Sequence, residues 1–213
     1  MNRRTFLRGL GGTAVLITTG SVLANILRGL PSTNASSATP ANSSTLVKVR
    51  IMGENGQLTE PIEMPMVVKT DAEWRKLLTP EQYKIARDSS TELPFCGVFY
   101  DNHKTGIYHC VCCNLPLFTS DTKFDSGTGW PSFFKAYDEA HIRRIRDTSY
   151  GMVRVEEVCA RCGSHLGHVF PDGPRPSGER HCLNSVSLGF TERGQPLPDI
   201  LERGAPEGEP AAV

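Results

Sequence analysis

Four of the seven cysteines form two Cys-x-x-Cys pairs, Cys110 with Cys113 and Cys159 with Cys162. Two residues between thiolates let both sulfurs face one ion, and two such pairs complete the tetrahedral sulfur shell that zinc prefers. We therefore predict a structural zinc ion that joins two distant segments of the chain. The same four ligands also suit rubredoxin-type iron, and in an exported protein they would also serve for two disulfides.

Cys182 lies apart from both pairs, in the run Arg180-His181-Cys182-Leu183-Asn184. A filled four-sulfur zinc site has no open position, so it is expected to stabilise the fold and to leave catalysis to residues such as this one. Cationic neighbours lower the pKa of a thiol, and strand alternation would put Arg180, Cys182 and Asn184 on one face. This setting indicates a nucleophilic thiolate, and the alternative is a buried structural cysteine.

Two histidines follow the second cysteine pair, at positions 165 and 168. Side chains three residues apart point to opposite faces of a strand, whereas a turn would let them converge. The spacing of His165 and His168 therefore leaves three roles open: acid catalysis, metal binding, and a structural role in which the ring is hydrogen-bonded.

A glycine-rich loop between positions 124 and 134 carries aromatic residues, with Trp130 at its centre. The loop is either a surface turn with one packing indole or an apolar face beside a thiol. The second arrangement would suit a small, polarisable group such as a methylated sulfur.

The elements that must position these residues are short. Capping-box sequences that begin at Thr70 and Thr79 predict two N-terminal helices, with Pro80 at the first position of the second. Trp74 and Tyr83 are expected to anchor the core. Runs of β-branched and aromatic residues bounded by turn residues predict strands at 46–50, 98–100, 106–108, 153–155 and 185–190. The fold is therefore predicted to be mainly β, with antiparallel sheets and a few short helices.

The two ends of the chain differ in composition from its middle. Residues 1–30 place Arg3-Arg4 ahead of an uncharged run, which predicts a twin-arginine-type export signal, with a lone membrane anchor as the alternative. Residues 31–44 form a low-complexity linker with too little apolar surface to fold. Residues 45–191 are the folded domain, and residues 192–213 are a Pro- and Gly-rich tail that either lies over the domain or frays.

The predicted signal implies passage through the twin-arginine translocon. The protein would then be exported to a periplasmic or other extracytoplasmic location, and an uncleaved signal would tether it to the membrane. The overall charge gives no electrostatic footprint for nucleic acid, since Lys plus Arg and Asp plus Glu both number 23. We therefore expect no nucleic-acid partner.

Five segments, in the same order along the chain, closely resemble the methionine-R-sulfoxide reductase (MsrB) family. They cover about residues 70–191 and are long enough to be highly specific. The segments are Tyr108-x-Cys110-x-x-Cys113 with Leu117-Phe118, the run from Lys123 to Phe133, Glu157-Val158-Cys159-x-x-Cys162, the run from His165 to Pro174, and Arg180-His181-Cys182-x-Asn184-Ser185.

The resemblance implies a fold of two antiparallel β-sheets and a catalytic domain over residues 45–191. It assigns the four paired cysteines to zinc and makes Cys182 the nucleophile. Trp130 and Phe170 would contact the substrate, and Arg180 would order the pocket and favour the thiolate. The sulfoxide pocket would be lined by His165, His168 and Asn184.

The resemblance also implies the reaction, which is thiol-dependent reduction of methionine-R-sulfoxide, free or in proteins, to methionine. Cys182 would attack the sulfoxide sulfur while a histidine supplies a proton, which leaves a sulfenic acid on Cys182. A second thiol would condense with it, and a thioredoxin-like dithiol would reopen the disulfide.

The chain departs from the family pattern at three positions. Many relatives place the resolving cysteine where this chain has Thr128, whereas Cys96 lies in a region that some relatives use for that purpose. With the zinc ligands and nucleophile assigned, Cys96 and Cys112 remain, and our hypothesis is that Cys96 resolves the sulfenic acid. His181 stands where tyrosine or phenylalanine is common, and would raise the local positive potential only if protonated.

Two other functions use part of the same pattern. A non-catalytic zinc-ribbon module that binds a partner or nucleic acid explains the four paired cysteines but leaves Cys182, Asn184 and the tryptophan loop without a role. A rubredoxin-like electron carrier would hold iron in place of zinc.

Overall fold

The structure used here is a computed structural model that describes residues 45–51 and 58–200. The predicted export signal, the linker and the part of the tail beyond residue 200 lie outside the described residues. Within the part of the chain that is described, no helix has the length and apolar character needed to cross a membrane.

Two short helices begin as the capping boxes predict. In α1 (Asp71–Leu77) and α2 (Pro80–Ala86), the threonine hydroxyl before the helix accepts a hydrogen bond from the backbone N–H three residues later. The acidic or amide side chain at that position accepts one in return from the threonine N–H. Both predicted aromatic anchors are buried in the core, namely Trp74 and Tyr83.

The rest of the described chain is mainly β. Its strands are β1 (Leu46–Val49), β2 (Ile62–Pro65), β3 (Gly106–Cys110), β4 (Pro116–Thr119), β5 (Lys123–Phe124), β6 (Ser132–Phe133), β7 (Ile142–Asp147), β8 (Arg154–Cys159), β9 (His165–Phe170), β10 (Arg180–Leu183) and β11 (Leu188–Glu192). They form antiparallel sheets in the orders β1-β2, β11-β3-β4 and β5-β6-β10-β9-β8-β7. The predicted fold class is confirmed, with the small β1-β2 sheet in addition to the two larger ones.

One predicted strand is wrong. Residues 98–100 form a turn, in which the Phe99 N–H donates to the Ser185 hydroxyl at 3.2 Å. The Phe99 ring packs edge-on against Tyr108, with 5.5 Å between ring centroids, while Val98 is exposed. Residues 98–100 therefore contribute a packed aromatic side chain and do not pair as a strand. Part of another predicted strand, Ser185–Ser187, is a 3-10 turn that precedes β11.

Aromatic side chains join the two larger sheets. Phe133 of β6 stacks on Phe118 of β4, with 4.5 Å between ring centroids, and meets Tyr108 of β3 edge-on at 5.0 Å. All three rings are fully buried. Burial of each such side chain contributes roughly 2–3 kcal/mol of transfer free energy. The core therefore lies between the six-stranded and three-stranded sheets.

The first part of the predicted tail lies over the domain. The carbonyl oxygen of Asp199 accepts from the Asn114 side-chain amide at 3.0 Å, and the Arg161 guanidinium donates to the carbonyl of Ile200. The Ile200 side chain packs against the core. The chain is thus ordered well beyond the end of β11.

Gly167 allows β9 and β10 to pair closely. A Cβ atom at this position would lie 2.1 Å from the carbonyl oxygen of Cys182 and 2.9 Å from the Cα of Leu183. Neither atom can move without displacing the β10 backbone. A glycine is therefore required where β9 passes the residue predicted to be the nucleophile.

Candidate active site and metal centre

Four buried sulfur atoms meet at one point of the structure. The sulfurs of Cys110, Cys113, Cys159 and Cys162 all lie within 4.8 Å of one another. Cys110 and Cys162 are 3.6 Å apart, and Cys113 and Cys159 are 3.5 Å apart. A tetrahedral shell with zinc–sulfur bonds of ~2.3 Å puts its sulfurs ~3.8 Å apart, whereas a disulfide needs ~2.05 Å. The spacing fits a metal ion and does not fit two disulfides.

The two cysteine pairs sit in matching turns. Cys110 ends β3 and Cys159 ends β8, and each carbonyl accepts from the N–H four residues later, at 2.9 Å. That later residue has a positive φ in both turns, 59° at Asn114 and 68° at Gly163. Asparagine and glycine tolerate this conformation best. An ion held here would join the three-stranded sheet to the six-stranded sheet.

The clustered thiols do not share one pKa shift: the pKa of Cys113 is raised, mainly by its hydrogen bond with Cys110, and the pKa of Cys162 is raised mainly by burial. Burial alone would raise the pKa of Cys110, but hydrogen bonds from neighbouring thiols hold that pKa well below its usual value. Cys112 lies outside this shell, fully buried, with its sulfur 3.5 Å from the Ser164 hydroxyl.

A second group of polar side chains lies in one row across the six-stranded sheet. In the strand register, Cys182 of β10 is opposite Ser132 of β6 and His168 of β9, and His168 is opposite Glu156 of β8. Residues directly opposite one another in an antiparallel pair project from the same face. The row therefore places a thiol, an imidazole and a carboxylate side by side.

A β-bulge brings the second histidine to the same face. Val158 is opposite His165 and Glu157 is opposite Gly167, so β9 uses one residue more than β8 at this point. The extra residue changes the alternation and puts His165 and His168 on one side, with 5.6 Å between ring centroids. The two histidines converge within a strand, an arrangement that the sequence spacing had predicted only for a turn.

Each histidine is held by a carboxylate. Nδ1 of His165 is 2.6 Å from Oε1 of Glu156, and Nε2 of His168 is 2.9 Å from Oδ2 of Asp147. Because an ionised carboxylate only accepts, these ring nitrogens donate, which leaves Nε2 of His165 and Nδ1 of His168 for other partners. Nε2 of His165 is buried without a hydrogen-bond partner. Burial lowers the pKa of His165, although Glu156 acts in the opposite direction.

Asp147 stays ionised at neutral pH. Hydrogen bonds from Ser149, together with those from His168 and Arg154, hold the pKa of Asp147 far below its usual value. Asp147, Glu156 and both histidines line a cavity of about 620 Å³, which is also lined by the end of α2, the segment that follows it and the β7–β8 connection. The cavity is large enough for a side chain with flanking backbone.

Arg180 lies two residues before Cys182 and on the same face of β10. Its guanidinium makes two hydrogen bonds of 2.9 Å to the Asp172 carboxylate and stacks over the Phe170 ring at 4.5 Å. The expected low pKa of Cys182 is not found, because burial raises the pKa of the thiol and the charge of Arg180 only partly opposes this. The sequence shows the cation but not the burial, and burial has the larger effect.

His181 points to the other face of β10. Its Nδ1 lies 2.8 Å from Oε1 of Glu157, and both side chains are fully buried. Gly167 lies between their strands and has no side chain to separate them. Because Glu157 is an acidic partner on the far side of the sheet, His181 is not placed to raise the positive potential at Cys182.

Glu92 connects several predicted site residues and was not itself predicted from the sequence. Its carbonyl accepts from the Trp130 indole at 3.2 Å, and its N–H donates to the side-chain oxygen of Asn184 at 3.0 Å. Its buried carboxylate accepts from the N–H groups of Ser185 and Val186. Burial raises the pKa of Glu92. A single glutamate in a loop gives no spacing signal, so only the folded structure reveals it.

Both polar atoms of the Asn184 side-chain amide are hydrogen-bonded to backbone groups. In addition to accepting from Glu92, it donates from Nδ2 to the carbonyl of Leu166 at 3.1 Å. The residue lies just past β10, at the start of the 3-10 turn, and is buried. Its amide thus links the loop that carries Glu92 to β9.

Two cysteines, Cys96 and Cys112, are neither in the four-sulfur cluster nor the predicted nucleophile. Of these, Cys96 is exposed. The preceding residue, Phe95, donates its N–H to the carbonyl of Gly129 at 2.8 Å. Next to Gly129, the Thr128 hydroxyl lies 4.0 Å from the Cys182 sulfur. The loop bearing Cys96 therefore packs on the loop that contacts the thiol.

Comparison with known proteins agrees with this geometry. The SelR domain family model matches residues 78–192. The chain is 55% identical over 130 residues to peptide methionine sulfoxide reductase MsrB of Pseudomonas putida (strain GB-1), covering 61% of this chain and 99% of that protein. It is 57% identical over 122 residues to the protein of the same name from Thiobacillus denitrificans, covering 57% of this chain and 92% of the relative.

A third relative is as similar. Peptide methionine sulfoxide reductase MsrB of Methanosarcina mazei is 56% identical over 126 residues, which cover 59% of this chain and 90% of that protein. The matched region contains the four clustered cysteines, both histidines and Cys182. The chain therefore belongs to the methionine-R-sulfoxide reductase (MsrB) family and carries its SelR domain.

Proposed function

We propose that the protein is a peptide-methionine (R)-S-oxide reductase that uses Cys182 as its nucleophile. The observation that carries this proposal is the row formed by the thiol, His168 and Glu156 on one face of the six-stranded sheet. The bulge adds His165 to the same face. A nucleophile, two proton carriers and an adjoining cavity suit reduction of a small polar sulfoxide.

In the first step the Cys182 thiolate attacks the sulfur of the sulfoxide. Two electrons pass from the cysteine to the substrate, the substrate sulfur–oxygen bond breaks, and a new sulfur–oxygen bond forms on Cys182. One proton is taken up, so the products are methionine and a Cys182 sulfenic acid. Because burial raises the pKa of the thiol, thiolate formation must be assisted by groups that contact the sulfur.

The histidines supply the proton. His165 is fixed by Glu156 through Nδ1, and Nε2 is the atom that protonates the sulfoxide oxygen, directly or through water, when the ring carries a second proton as the imidazolium. His168 is the alternative donor, through Nδ1, since Asp147 holds its Nε2. The carboxylates orient each ring and select its tautomer, a positioning role of the kind found in catalytic triads.

Arg180 and two aromatic rings form the remaining contacts of the site. Arg180 stacks on Phe170 and is fixed by Asp172, so it offers the sulfur a positive charge at a set position. Trp130 is anchored through its indole N–H, which leaves the ring for an apolar partner such as the S-methyl group. The Asn184 side-chain oxygen accepts from the N–H of Glu92, whose carbonyl accepts from the Trp130 indole. Asn184 thereby helps to position Trp130.

The sulfenic acid is resolved by Cys96. Cys112 is buried beside the four-sulfur cluster, whereas Cys96 is exposed on the loop that packs against Thr128 and Gly129. Condensation of its thiol with the sulfenic acid forms the Cys96–Cys182 disulfide and releases water. A thioredoxin-like dithiol then reduces this disulfide by thiol–disulfide exchange.

The four clustered cysteines hold a structural zinc ion. The sulfur spacing and the matching turns described above support this assignment. Such an ion supplies folding free energy and holds β3 and β8 together, and catalysis uses only groups outside the shell.

The protein is exported through the twin-arginine translocon to an extracytoplasmic location. This proposal is supported by Arg3-Arg4, the uncharged run that follows and the low-complexity linker at residues 31–44. Replacing Arg3 and Arg4 by lysine should retain the protein in the cytoplasmic fraction on cell fractionation. Unchanged export of this variant would contradict the proposal.

Turnover of separated sulfoxide epimers tests the activity. With dithiothreitol as reductant, the protein should consume the R epimer of a blocked methionine sulfoxide and leave the S epimer. Cys182→Ser should lower the rate by at least 10³-fold, because the nucleophile is lost. No turnover of either epimer by folded, metal-loaded protein would favour the non-catalytic zinc-ribbon function.

The resolving thiol is tested by trapping after a single turnover. In Cys96→Ser, the Cys182 sulfenic acid should persist and react with dimedone, whereas the wild type should show the Cys96–Cys182 disulfide by peptide mass spectrometry. A Cys96→Ser, Thr128→Cys double variant should recover a disulfide, because position 128 already contacts the Cys182 sulfur. Equal sulfenic acid in wild type and Cys96→Ser would show that Cys96 is not the resolving residue.

The metal is tested by paired serine variants. Cys113→Ser should lose the ion and several kcal/mol of unfolding free energy, because structural zinc binding is coupled to folding. Cys112→Ser, a buried neighbour outside the shell, should keep one zinc ion per chain. Elemental analysis and urea unfolding give the two readouts. Equal metal content in both variants would contradict the ligand assignment, and iron in place of zinc would indicate a rubredoxin-type site.

A further inference from the structure

Three hydroxyl groups form a hydrogen-bonded chain that ends at the Cys182 sulfur. The Thr128 hydroxyl lies 4.0 Å from that sulfur and 2.8 Å from the Ser126 hydroxyl. Ser126 is in turn 2.7 Å from the Ser132 hydroxyl. At the far end, Ser132 donates to the carbonyl of Trp130 at 3.2 Å. The chain therefore connects the thiol to the backbone of the predicted substrate-contacting tryptophan.

The fold holds the three hydroxyl groups in place from both sides. Ser132 is fully buried on β6, opposite Cys182 in the strand register. Ser126 and Thr128 lie on the preceding loop, where Gly127 adopts a positive φ of 69° and its N–H donates to Asp125. This turn brings the two hydroxyls on either side of the glycine together.

Each hydroxyl carries one proton, so the direction of the chain can be assigned. With Ser132 donating to the Trp130 carbonyl, Ser126 must donate to Ser132 and Thr128 must donate to Ser126. The Thr128 oxygen is then an acceptor toward the sulfur. This direction suits the protonated thiol, whose S–H is a donor.

Deprotonation of the thiol favours the opposite direction. If Ser132 turns its proton to Ser126 and Ser126 turns its proton to Thr128, the Thr128 O–H is free to donate to the thiolate. The number of bonds within the chain is unchanged. One neutral bond, to the Trp130 carbonyl, is exchanged for a charge-assisted bond to sulfur, which is the stronger kind.

We propose that Thr128 is a catalytic residue whose hydroxyl donates to the Cys182 thiolate, and that Ser126 is a positioning residue that orients it when Ser126 and Ser132 reverse their hydrogen bonds. This inference rests on the proposed role of Cys182 as nucleophile. It gives the half-buried thiol a source of stabilisation that reorients when the thiol ionises.

The surroundings of the sulfur support this role. Arg180 on the same strand and His168 opposite are the charged and titratable groups that face the thiol from β10 and β9, and β6 and its preceding loop present hydroxyls. Burial raises the pKa of Cys182, and hydrogen bonds from Thr128 and Ser132 act against that rise along with the charge of Arg180.

The test measures thiolate formation without any sulfoxide. In full-length protein carrying Cys96→Ser, which removes the exposed competing thiol, iodoacetamide labelling of Cys182 is followed against pH by peptide mass spectrometry. Thr128→Val keeps the shape of the side chain and removes the hydroxyl, and should slow labelling at pH 7 roughly tenfold and move the profile to higher pH. Thr128→Ser keeps a hydroxyl and should label like the parent.

A second pair of variants tests the hydrogen-bonded chain of hydroxyl groups. Ser126→Ala should slow labelling in the same direction by a smaller factor, and Ser126→Thr should restore it. If Thr128→Val and Thr128→Ala both label at the rate of Thr128→Ser, the proposal is overturned. This result is distinguishable from failure of the proposed function, which would appear as R-sulfoxide turnover that survives Cys182→Ser.

Discussion

The antiparallel pairing of β10 with β9 is the constraint on which the rest of the site depends. It sets Cys182 opposite His168 and Arg180 opposite Phe170, so a thiol, an imidazole and a guanidinium share a face. The pairing is close only because position 167 lacks a side chain. The same gap lets Glu157 reach His181 behind the sheet. One backbone contact therefore organises the chemistry on one face and the buried polar pair on the other.

β8 extends this arrangement to the metal centre. It supplies Glu156 to His165 on the active face and Glu157 to His181 on the other, and it ends at Cys159 in the four-sulfur cluster. An ion held there would fix the end of the strand that orients His165, whereas His168 is oriented by Asp147 at the end of β7. Such an ion would limit the movement of Glu156 and Glu157, which it would not contact.

Much of the fold and part of the site follow from local sequence signals. Two Cys-x-x-Cys pairs specify the metal centre, and the threonine capping boxes specify both helices, because these signals act within a few residues. The convergence of His165 and His168 depends on a bulge defined by pairing with β8, and the raised pKa of Cys182 depends on burial by distant segments. Glu92 acts through contacts more than 35 residues away along the chain. Such features are properties of the assembled sheet.

The bulge in β9 has a consequence for how this site tolerates change in chain length. Side chains alternate between the faces of a strand, so the side on which His165 lies is decided by whether the residue count across the bulge is odd or even. Loss of the extra residue would leave the two histidines two positions apart in a regular strand, again on one face, whereas loss of the bulge with the three-residue spacing unchanged would put them on opposite faces. The three-residue spacing therefore serves this site only in combination with the bulge.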